Sequence, residues 1–291
     1  MTKLPKRIVA DSMVGMAMPR YSRLSPRVAT VLGLNPSPFT GPGTNTYLIG
    51  TGSRPLLLDT GHGVAAYGEL LPQAAAELCS ARALDFMVLT HAHPDHIGGV
   101  GQVRGIFGPL RALKKPWPGK DAGGLPIEPI EDAAVIETEG AALRAIFTPG
   151  HAPDHLCYYL EQEQALFTGD LVLGAGTTVI PDETGDLGQY MQSLRRLLDL
   201  EIAVIYPGHG PAIHNPRRKI LDYIAHRELR ERQIIEELQA GPLQAKEIVT
   251  RLYTDVPEYL HAAAGSSVRS HLRKLRGEGL VAEHDGLWSL A

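Results

Sequence analysis

The strongest constraint on this chain is a cluster of side chains of the metal-ligand type at residues 91–96. Four of these six residues carry an imidazole or a carboxylate, namely His91, His93, Asp95 and His96. A buried strand predicted at residues 86–90 leads directly into the cluster. Side chains at positions i and i+2 of an extended loop point to the same side, so His91 and His93 face one way. Pro94 then favours the first turn of a helix.

Three further residues of the ligand type follow predicted strands. They are His151 in the run PGH, Asp170 in TGD and His209 in PGHG. Each comes directly after a glycine, which lets the backbone turn sharply and approach a site closely. Zinc prefers imidazole and carboxylate ligands, and manganese or iron also accepts them. We therefore predict a metal centre that is assembled from loops at one end of a sheet.

Hydrophobic periodicity predicts two sets of strands with helices outside them. The predicted strands are 27–32, 46–49, 55–59, 86–90, 134–138, 142–147, 156–160, 165–168 and 203–206. The predicted helices are 63–79, about 187–200 and 216–239. This order favours an α/β fold, a four-layer αββα sandwich over residues 1–215. Within this domain, no role is assigned to residues 1–27.

The sequence of residues 216–291 predicts a second, smaller domain. Their apolar residues follow helical spacing in three segments, and the last segment is followed by two short strands. Asp285 and Gly286 between these strands are typical of a tight hairpin turn. Three helices and a hairpin predict a winged-helix-like module.

The C-terminal domain also differs in charge from the rest of the chain. Residues 216–291 hold twelve Lys and Arg against eleven Asp and Glu, whereas residues 1–215 hold 16 against 21. Arg269, Arg273 and Arg276 fall on one stripe of the third helix and are candidates for contact with nucleic-acid phosphates. Two other interpretations are a solvated basic face and a domain that only covers the metal cleft. The modest size of the patch favours the last interpretation, a domain that covers the metal cleft.

Composition narrows the class of protein. The chain is 44 % apolar and 21 % charged, which is typical of a globular protein. It has no apolar run close to the roughly 20 residues of a membrane helix, and its basic N-terminus lacks the apolar segment of a secretion signal. Cys79 and Cys157 lie in helical and strand patterns and are predicted to be small core residues, as in a reducing compartment. We expect a cytoplasmic protein without a membrane partner, either a monomer or a homodimer.

The run HAHPDHIGG, together with PGH, TGD and PGHG, resembles the complete dinuclear signature of the metallo-β-lactamase superfamily. The resemblance implies two Zn²⁺ per chain, with Mn²⁺ or Fe²⁺ as alternatives. It implies a first metal on His91, His93 and His151. It implies a second metal on Asp95, His96 and His209. Asp170 would bridge both metals, and Asp95 is in addition the candidate catalytic residue.

Two residues are predicted to orient the metal ligands without binding the metals themselves. Asp59, in the run LLDTG, resembles the aspartate at a strand end that orients a ligand loop in this superfamily. A simple turn-capping role is its alternative. His155 follows His151 by four residues, and a supporting role and a purely structural role fit it equally well.

The resemblance also implies a chemistry. Two divalent ions lower the pKa of a shared water towards ~7 and polarise the bond to be cleaved, so no serine or cysteine nucleophile is needed. β-Lactamases of this fold generally lack the aspartate at position 170, so the name of the fold does not give the activity. The runs GTNTYL, LGAGTT and YPGHGPAIHN resemble the β-lactamase-like protein 2 family, which implies cleavage of single-stranded RNA.

A small-molecule ester, thioester or lactone hydrolase is the alternative, similar to glyoxalase II or to a lactonase. The run YPGHG stands where glyoxalase II has CGHEY, which counts against that branch. The overall acidity of the chain favours the small-molecule alternative, whereas the arginine stripe favours RNA. A metal-binding scaffold without turnover is disfavoured by the complete ligand set.

Overall fold

Two β-sheets lie face to face in the computed structural model, which describes residues 13, 15–121, 126–254 and 261–291. The first sheet contains, in spatial order, β1 (Tyr21–Arg23), β2 (Val28–Leu32), β3 (Asn45–Ile49), β4 (Leu56–Leu58), β5 (Met87–Val88), β6 (Ala112–Lys114) and β7 (Glu128–Pro129). Strands β1 to β4 pair antiparallel, and β4 to β7 pair parallel.

The second sheet has the spatial order β12-β11-β10-β9-β8. Its strands are β8 (Val135–Thr138), β9 (Ala141–Phe147), β10 (Leu156–Leu160), β11 (Ala165–Gly169) and β12 (Val204–Pro207). Only β11 and β12 pair parallel within it. As a result, both of these strands end at the same edge of the sheet.

Helices cover the outer faces of both sheets. They are α1 (Ala65–Cys79), α2 (Pro94–Ile97), α3 (Val100–Phe107) and α4 (Leu187–Leu197), and the first half of α5 (Pro216–Leu238) joins them. Strand β4 shows why both faces are apolar, since Leu56 and Leu58 pack between the sheets and Leu57 packs under α1 and α3. A sheet that is covered on both sides needs apolar residues at every position. The predicted four-layer αββα sandwich is confirmed.

The C-terminal part has its own apolar core. It contains the second half of α5, helices α6 (Ala245–Leu252) and α7 (His261–Gly277), and the hairpin β13 (Val281–His284) and β14 (Leu287–Leu290). Asp285 and Gly286 both have a positive φ, of 51° and 78°, as the predicted hairpin turn requires. Ile234 and Leu238 of α5 belong to this core, whereas Ile220 of the same helix belongs to the core of the sandwich. The predicted domain boundary at residue 215 stays a prediction.

Some elements differ from the sequence-based expectation. Strands β1, β6 and β7 and helix α3 were not predicted, and the strand expected at 86–90 has only two paired residues. Cys157 is buried as expected, but Cys79 is only partly buried. Among the described helices, none is both long and apolar enough to cross a membrane. A cytoplasmic location stays a prediction.

Candidate metal centre

The seven predicted ligands come together at one edge of the two sheets. His91 and His93 follow β5, and the remaining ligands lie in α2 or directly after β9, β11 and β12. They form two groups, and within each group one ligand atom per residue lies within 4.8 Å of the others. The first group is His91, His93 and His151. The second group is Asp95, His96, Asp170 and His209.

Three imidazole nitrogens converge in the first group. Nδ1 of His93 lies 3.0 Å from Nε2 of His91 and 2.9 Å from Nε2 of His151. Nδ1 of His151 lies 2.8 Å from the Val179 carbonyl oxygen and donates to it, so Nε2 carries a lone pair. Nδ1 of His91 likewise contacts the Thr90 hydroxyl at 3.0 Å. Nδ1 of His93 carries at most one proton, which it can donate to only one of these two nitrogens. The group therefore offers unprotonated imidazole nitrogens that can bind a cation.

The electrostatics of the first group keep its rings neutral. Burial lowers the pKa of His91 well below its ordinary value and that of His93 to about 3. The pKa of His151 is also lowered by burial. Because a metal binds neutral imidazole, these rings need no deprotonation to act as ligands at neutral pH.

In the second group, two imidazole rings face two carboxylates. Nε2 of His96 lies 3.3 Å from Oδ1 of Asp170 and 3.6 Å from Oδ2 of Asp95. Nε2 of His209 lies 3.1 Å and 3.2 Å from the same two oxygens. Nδ1 of His96 faces Oδ2 of Asp59 at 2.7 Å and donates to it, so the neutral ring turns a lone pair towards acceptors. Nε2 of His96 and Oδ1 of Asp170 are indeed buried without a hydrogen bond.

The imidazoles and carboxylates of the second group shift one another's pKa. Burial lowers the pKa of His209, but the Asp170 carboxylate raises it more, to about 9. The pKa of His96 is raised well above its ordinary value for the same reason. Burial alone would raise the pKa of Asp170, yet His209 and His96 hold it well below the usual range. The ionised carboxylates and the orphaned ligand atoms fit a divalent cation.

Asp170 is the link between the two groups. Its Oδ1 faces His96 and His209, whereas its Oδ2 lies 3.6 Å from Nε2 of His151. A single carboxylate thus turns one oxygen to each group. The strong local turn at Gly169, with φ of 45°, directs the Asp170 side chain into this position at the end of β11.

Asp59 lies between His96 and Thr90, a position from which it can orient the His96 ring. Its side chain contacts His96 on one side, and on the other it accepts hydrogen bonds from the Thr90 amide at 2.8 Å and the Thr90 hydroxyl at 2.9 Å. Its backbone has a φ of 58°, an uncommon conformation that aspartate tolerates better than most residues. Thr90 was not singled out in the sequence, although it directly precedes His91 and its hydroxyl connects Asp59 to that ring.

His155 supports Asp170 rather than a histidine. Its Nδ1 contacts the Thr148 hydroxyl at 2.9 Å, and its Nε2 accepts the backbone N–H of Asp170 at 3.2 Å. Burial lowers the pKa of His155 well below its ordinary value, which keeps this nitrogen an acceptor.

The close approach of the backbone at position 208 to Asp170 requires glycine there, because a Cβ would lie 2.6 Å from Oδ1 of Asp170.

Replacing Asp59 tests its role in orienting His96. We expect Asp59→Asn to lower metal affinity by about 10- to 100-fold, as is usual when the partner of a ligating histidine is removed. The amide offers one acceptor where three donors converge, so either the Thr90 amide or the His96 ring loses its partner. Metal affinity would be measured by competition with a chromogenic chelator.

Asp85→Asn is the matched control, since Asp85 accepts a single hydroxyl, that of Thr138 at 3.1 Å, and an amide oxygen can replace it. Unchanged metal affinity in Asp59→Asn would leave Asp59 as a turn-capping residue only.

A buried lysine close to the ligand loops escaped the sequence analysis. Lys114 at the end of β6 is fully buried, and its Nζ lies 2.6 Å from Oδ2 of Asp154 and 2.7 Å from Oδ1 of Asp121. Asp154 lies between His151 and His155, and Asp121 accepts the Trp117 amide at 2.9 Å. This cation therefore joins the loop after β9 to the loop after β6.

The predicted arginine stripe is engaged within the chain. Arg269 forms an ion pair with Asp182 of the sandwich, and Arg273 donates to the Gly185 carbonyl at 3.3 Å. Arg276 pairs with Glu283 of the hairpin at 2.8 Å. Contact of these three residues with nucleic acid stays a prediction.

Comparison with protein families matches both parts of the chain. Residues 39–209 match the metallo-beta-lactamase superfamily, which covers more than half of the chain. Residues 245–288 match the beta-lactamase associated winged helix domain. The predicted winged-helix character of the C-terminal part is thereby confirmed.

Individual relatives agree with this. A beta-lactamase-like protein 2 homolog from Caenorhabditis elegans is 39 % identical over 89 % of this chain and 87 % of its own. An atrochrysone carboxyl ACP thioesterase from Aspergillus fumigatus is 44 % identical over 76 % of this chain and 68 % of its own. The crystal structure of a metallo-beta-lactamase family protein from Thermus thermophilus has a TM-score of 0.77 at 26 % identity, covering 92 % of this chain and 100 % of its own. The chain belongs to the metallo-beta-lactamase superfamily and is a metal-dependent hydrolase.

Proposed function

We propose that this hydrolase uses two divalent metal ions and cleaves thioester or ester bonds of small acyl substrates. The observation that carries the dinuclear centre is the position of Asp170, which turns one carboxylate oxygen to each of the two ligand groups. A mononuclear site would leave one group of converging imidazole or carboxylate atoms without a cation. We propose Zn²⁺ as the ion, with Mn²⁺ or Fe²⁺ as alternatives, because the ligands are nitrogen and oxygen only.

The residues of the centre would have different roles in binding the two ions. When bound, such a metal pair lowers the pKa of a water molecule and polarises the carbonyl to be attacked. The first ion would be held by His91, His93 and His151. Because these rings are neutral, the charge of the ions would be balanced by the carboxylates of Asp95 and Asp170. The second ion would lie among Asp95, His96 and His209. Asp170 would fix the spacing of the two ions.

Asp95 is the carboxylate ligand best placed to move a proton. Its side chain is 21 % exposed, compared with 11 % for Asp170, and the Thr44 hydroxyl reaches its Oδ2 at 3.5 Å. We propose that the Asp95 carboxylate accepts the proton of the attacking water and passes it to the leaving thiolate or alkoxide. This would give Asp95 a catalytic role in addition to its role as a ligand.

Three features support an acyl substrate over RNA. First, the guanidinium groups of Arg269 and Arg273 are engaged with the sandwich, and that of Arg276 with the hairpin, so the stripe is not an open row of phosphate contacts. Second, the relative from Aspergillus fumigatus is named as a thioesterase acting on an acyl carrier protein substrate. The acidic balance of residues 1–215 also disfavours a polyanion.

A substrate panel tests the proposal. The full chain would be depleted of metal, reloaded with Zn²⁺ or Mn²⁺, and offered an acyl-N-acetylcysteamine thioester, an aryl ester, a lactone and a single-stranded RNA. We expect thioester or ester turnover that depends on metal, and no RNA cleavage. RNA cleavage without thioester or ester turnover would overturn the substrate assignment and favour the single-strand endonuclease. A protein that binds fewer than two ions per chain would overturn the dinuclear centre.

A further inference from the structure

Residues 178–186, which we call the strap, form an irregular segment between the metal centre and the C-terminal domain. Near its start, the Val179 carbonyl accepts the Nδ1–H of His151 at 2.8 Å. At its end, the backbone N–H of Asp186 donates to the carbonyl of Gly150 at 2.8 Å. The strap therefore contacts the His151 loop twice, once on the ring and once on the residue before it.

Helix α7 holds the strap from the opposite side by its backbone. The Ser270 hydroxyl donates to the Ile180 carbonyl at 3.0 Å, and the Arg273 guanidinium donates to the Gly185 carbonyl at 3.3 Å. From α5, Arg227 donates to the Thr178 carbonyl. The carbonyls of residues 178 and 180 thus bind the C-terminal helices, whereas the carbonyl between them binds His151.

The middle of the strap is held by a side chain. The carboxylate of Asp182 forms an ion pair with Arg269 and accepts the Ser266 hydroxyl at 3.1 Å. The Asp182 amide in turn donates to the Ser266 oxygen at 2.9 Å. Arg269 lowers the pKa of Asp182, so the ion pair is present at neutral pH.

These contacts matter because the strap has no helix or strand of its own between Thr178 and Asp186. Its one local backbone hydrogen bond in the described structure runs from the Gly185 amide to the Pro181 carbonyl at 2.8 Å, so the position of the rest of its backbone is fixed by neighbouring elements. The Val179 carbonyl sets which nitrogen of His151 carries the proton and hence which nitrogen is left for a metal. A displaced strap would change the orientation of that ring.

We propose that Ser266, Arg269, Ser270 and Arg273 of the winged-helix domain are positioning residues for the first metal group, acting through the strap on His151. The inference rests on the proposed dinuclear centre and assigns a new purpose to two residues of the arginine stripe, Arg269 and Arg273. The domain would then support the hydrolytic site itself, rather than bind nucleic acid or merely cover the cleft.

Metal affinity of the full chain tests this inference. In Arg269→Ala and in Asp182→Ala, we expect the affinity for one of two Zn²⁺ ions to fall about tenfold, at the lower end of the range for removing a direct partner of a ligating histidine. The affinity for the other ion should change by less than about twofold, since His96 and His209 do not contact the strap. Both affinities would be measured by chelator competition and calorimetry. In addition, ¹⁵N NMR of His151 should show a weakened Nδ1–H hydrogen bond.

Arg276→Ala is the matched control, because it removes the same side chain from the same helix but breaks contacts with the hairpin, namely the ion pair with Glu283 and the cation–π contact with Trp288, instead of contacts with the strap. It should bind both ions as the wild type does, and Arg269→Lys should recover part of the lost affinity. Equal losses in Arg276→Ala would indicate general destabilisation and overturn the inference, as would unchanged binding in both strap variants. If the wild type itself binds fewer than two ions, the proposed function fails instead.

Discussion

Asp170→Asn should lower kcat/KM by at least about 10³-fold, the largest effect expected of any single substitution here. The reason is that an amide has one oxygen and no charge, whereas the carboxylate serves both ligand groups. Metal ions contribute several kcal/mol to the stabilisation of a hydrolytic transition state, and each 1.4 kcal/mol corresponds to about tenfold in rate. Activity and metal content would be measured on the same preparation, and the content should fall below two ions per chain.

Asp222→Asn is the control for this substitution, because Asp222 pairs with Arg218 on α5, away from the ligand groups, and its replacement should not affect either quantity. Should Asp170→Asn keep two ions and wild-type activity, the bridging role of Asp170 would be wrong. Elemental analysis separates this result from simple unfolding, provided that circular dichroism shows the fold intact.

Lys114→Met should lower the free energy of unfolding by about 3–5 kcal/mol, the largest effect on stability that we expect. Lys114 is fully buried, and its loss leaves the carboxylate of Asp154, 1 % exposed, without its cation. A change of this size corresponds to a fall of roughly 10 °C in Tm. Denaturation would be followed in the presence of a chelator, because bound metal adds its own stabilisation to the folded state.

Its neighbour provides the comparison. Lys115 pairs with Glu131, whose side chain is 69 % exposed, and exposed ion pairs contribute at most about 1 kcal/mol. Lys115→Met should therefore be nearly neutral. Equal effects of the two substitutions would show that the burial of Lys114 has no special energetic weight.

Much of the candidate site could be predicted from sequence because its ligands follow local rules. His91, His151 and His209 each lie just beyond a strand, in runs with glycine or proline that are visible in the primary structure. The layers of the fold were predictable for a related reason, since long apolar strands and amphipathic helices carry their own periodicity. Resemblance supplied the grouping into two metal sites, which spacing alone leaves open.

The parts that could not be predicted depend on contacts distant in sequence. Lysine is normally exposed, so nothing around Lys114 indicates that Asp154, forty residues later, would meet it. Strands β6 and β7 have three and two residues, too few for a periodic pattern. Similarly, the arginines of α7 look like a basic surface until Asp182 is seen to pair with Arg269.

Helix α5 constrains how the two halves of the enzyme can move. Its first turns pack into the sandwich through Ile220 and Tyr223, and its last turns pack into the C-terminal core through Ile234 and Leu238. After Pro216 the helix contains neither proline nor glycine, the usual sites of a sharp kink. A hinge between the halves would have to break this helix, so we expect the C-terminal core to move together with the sandwich as one body.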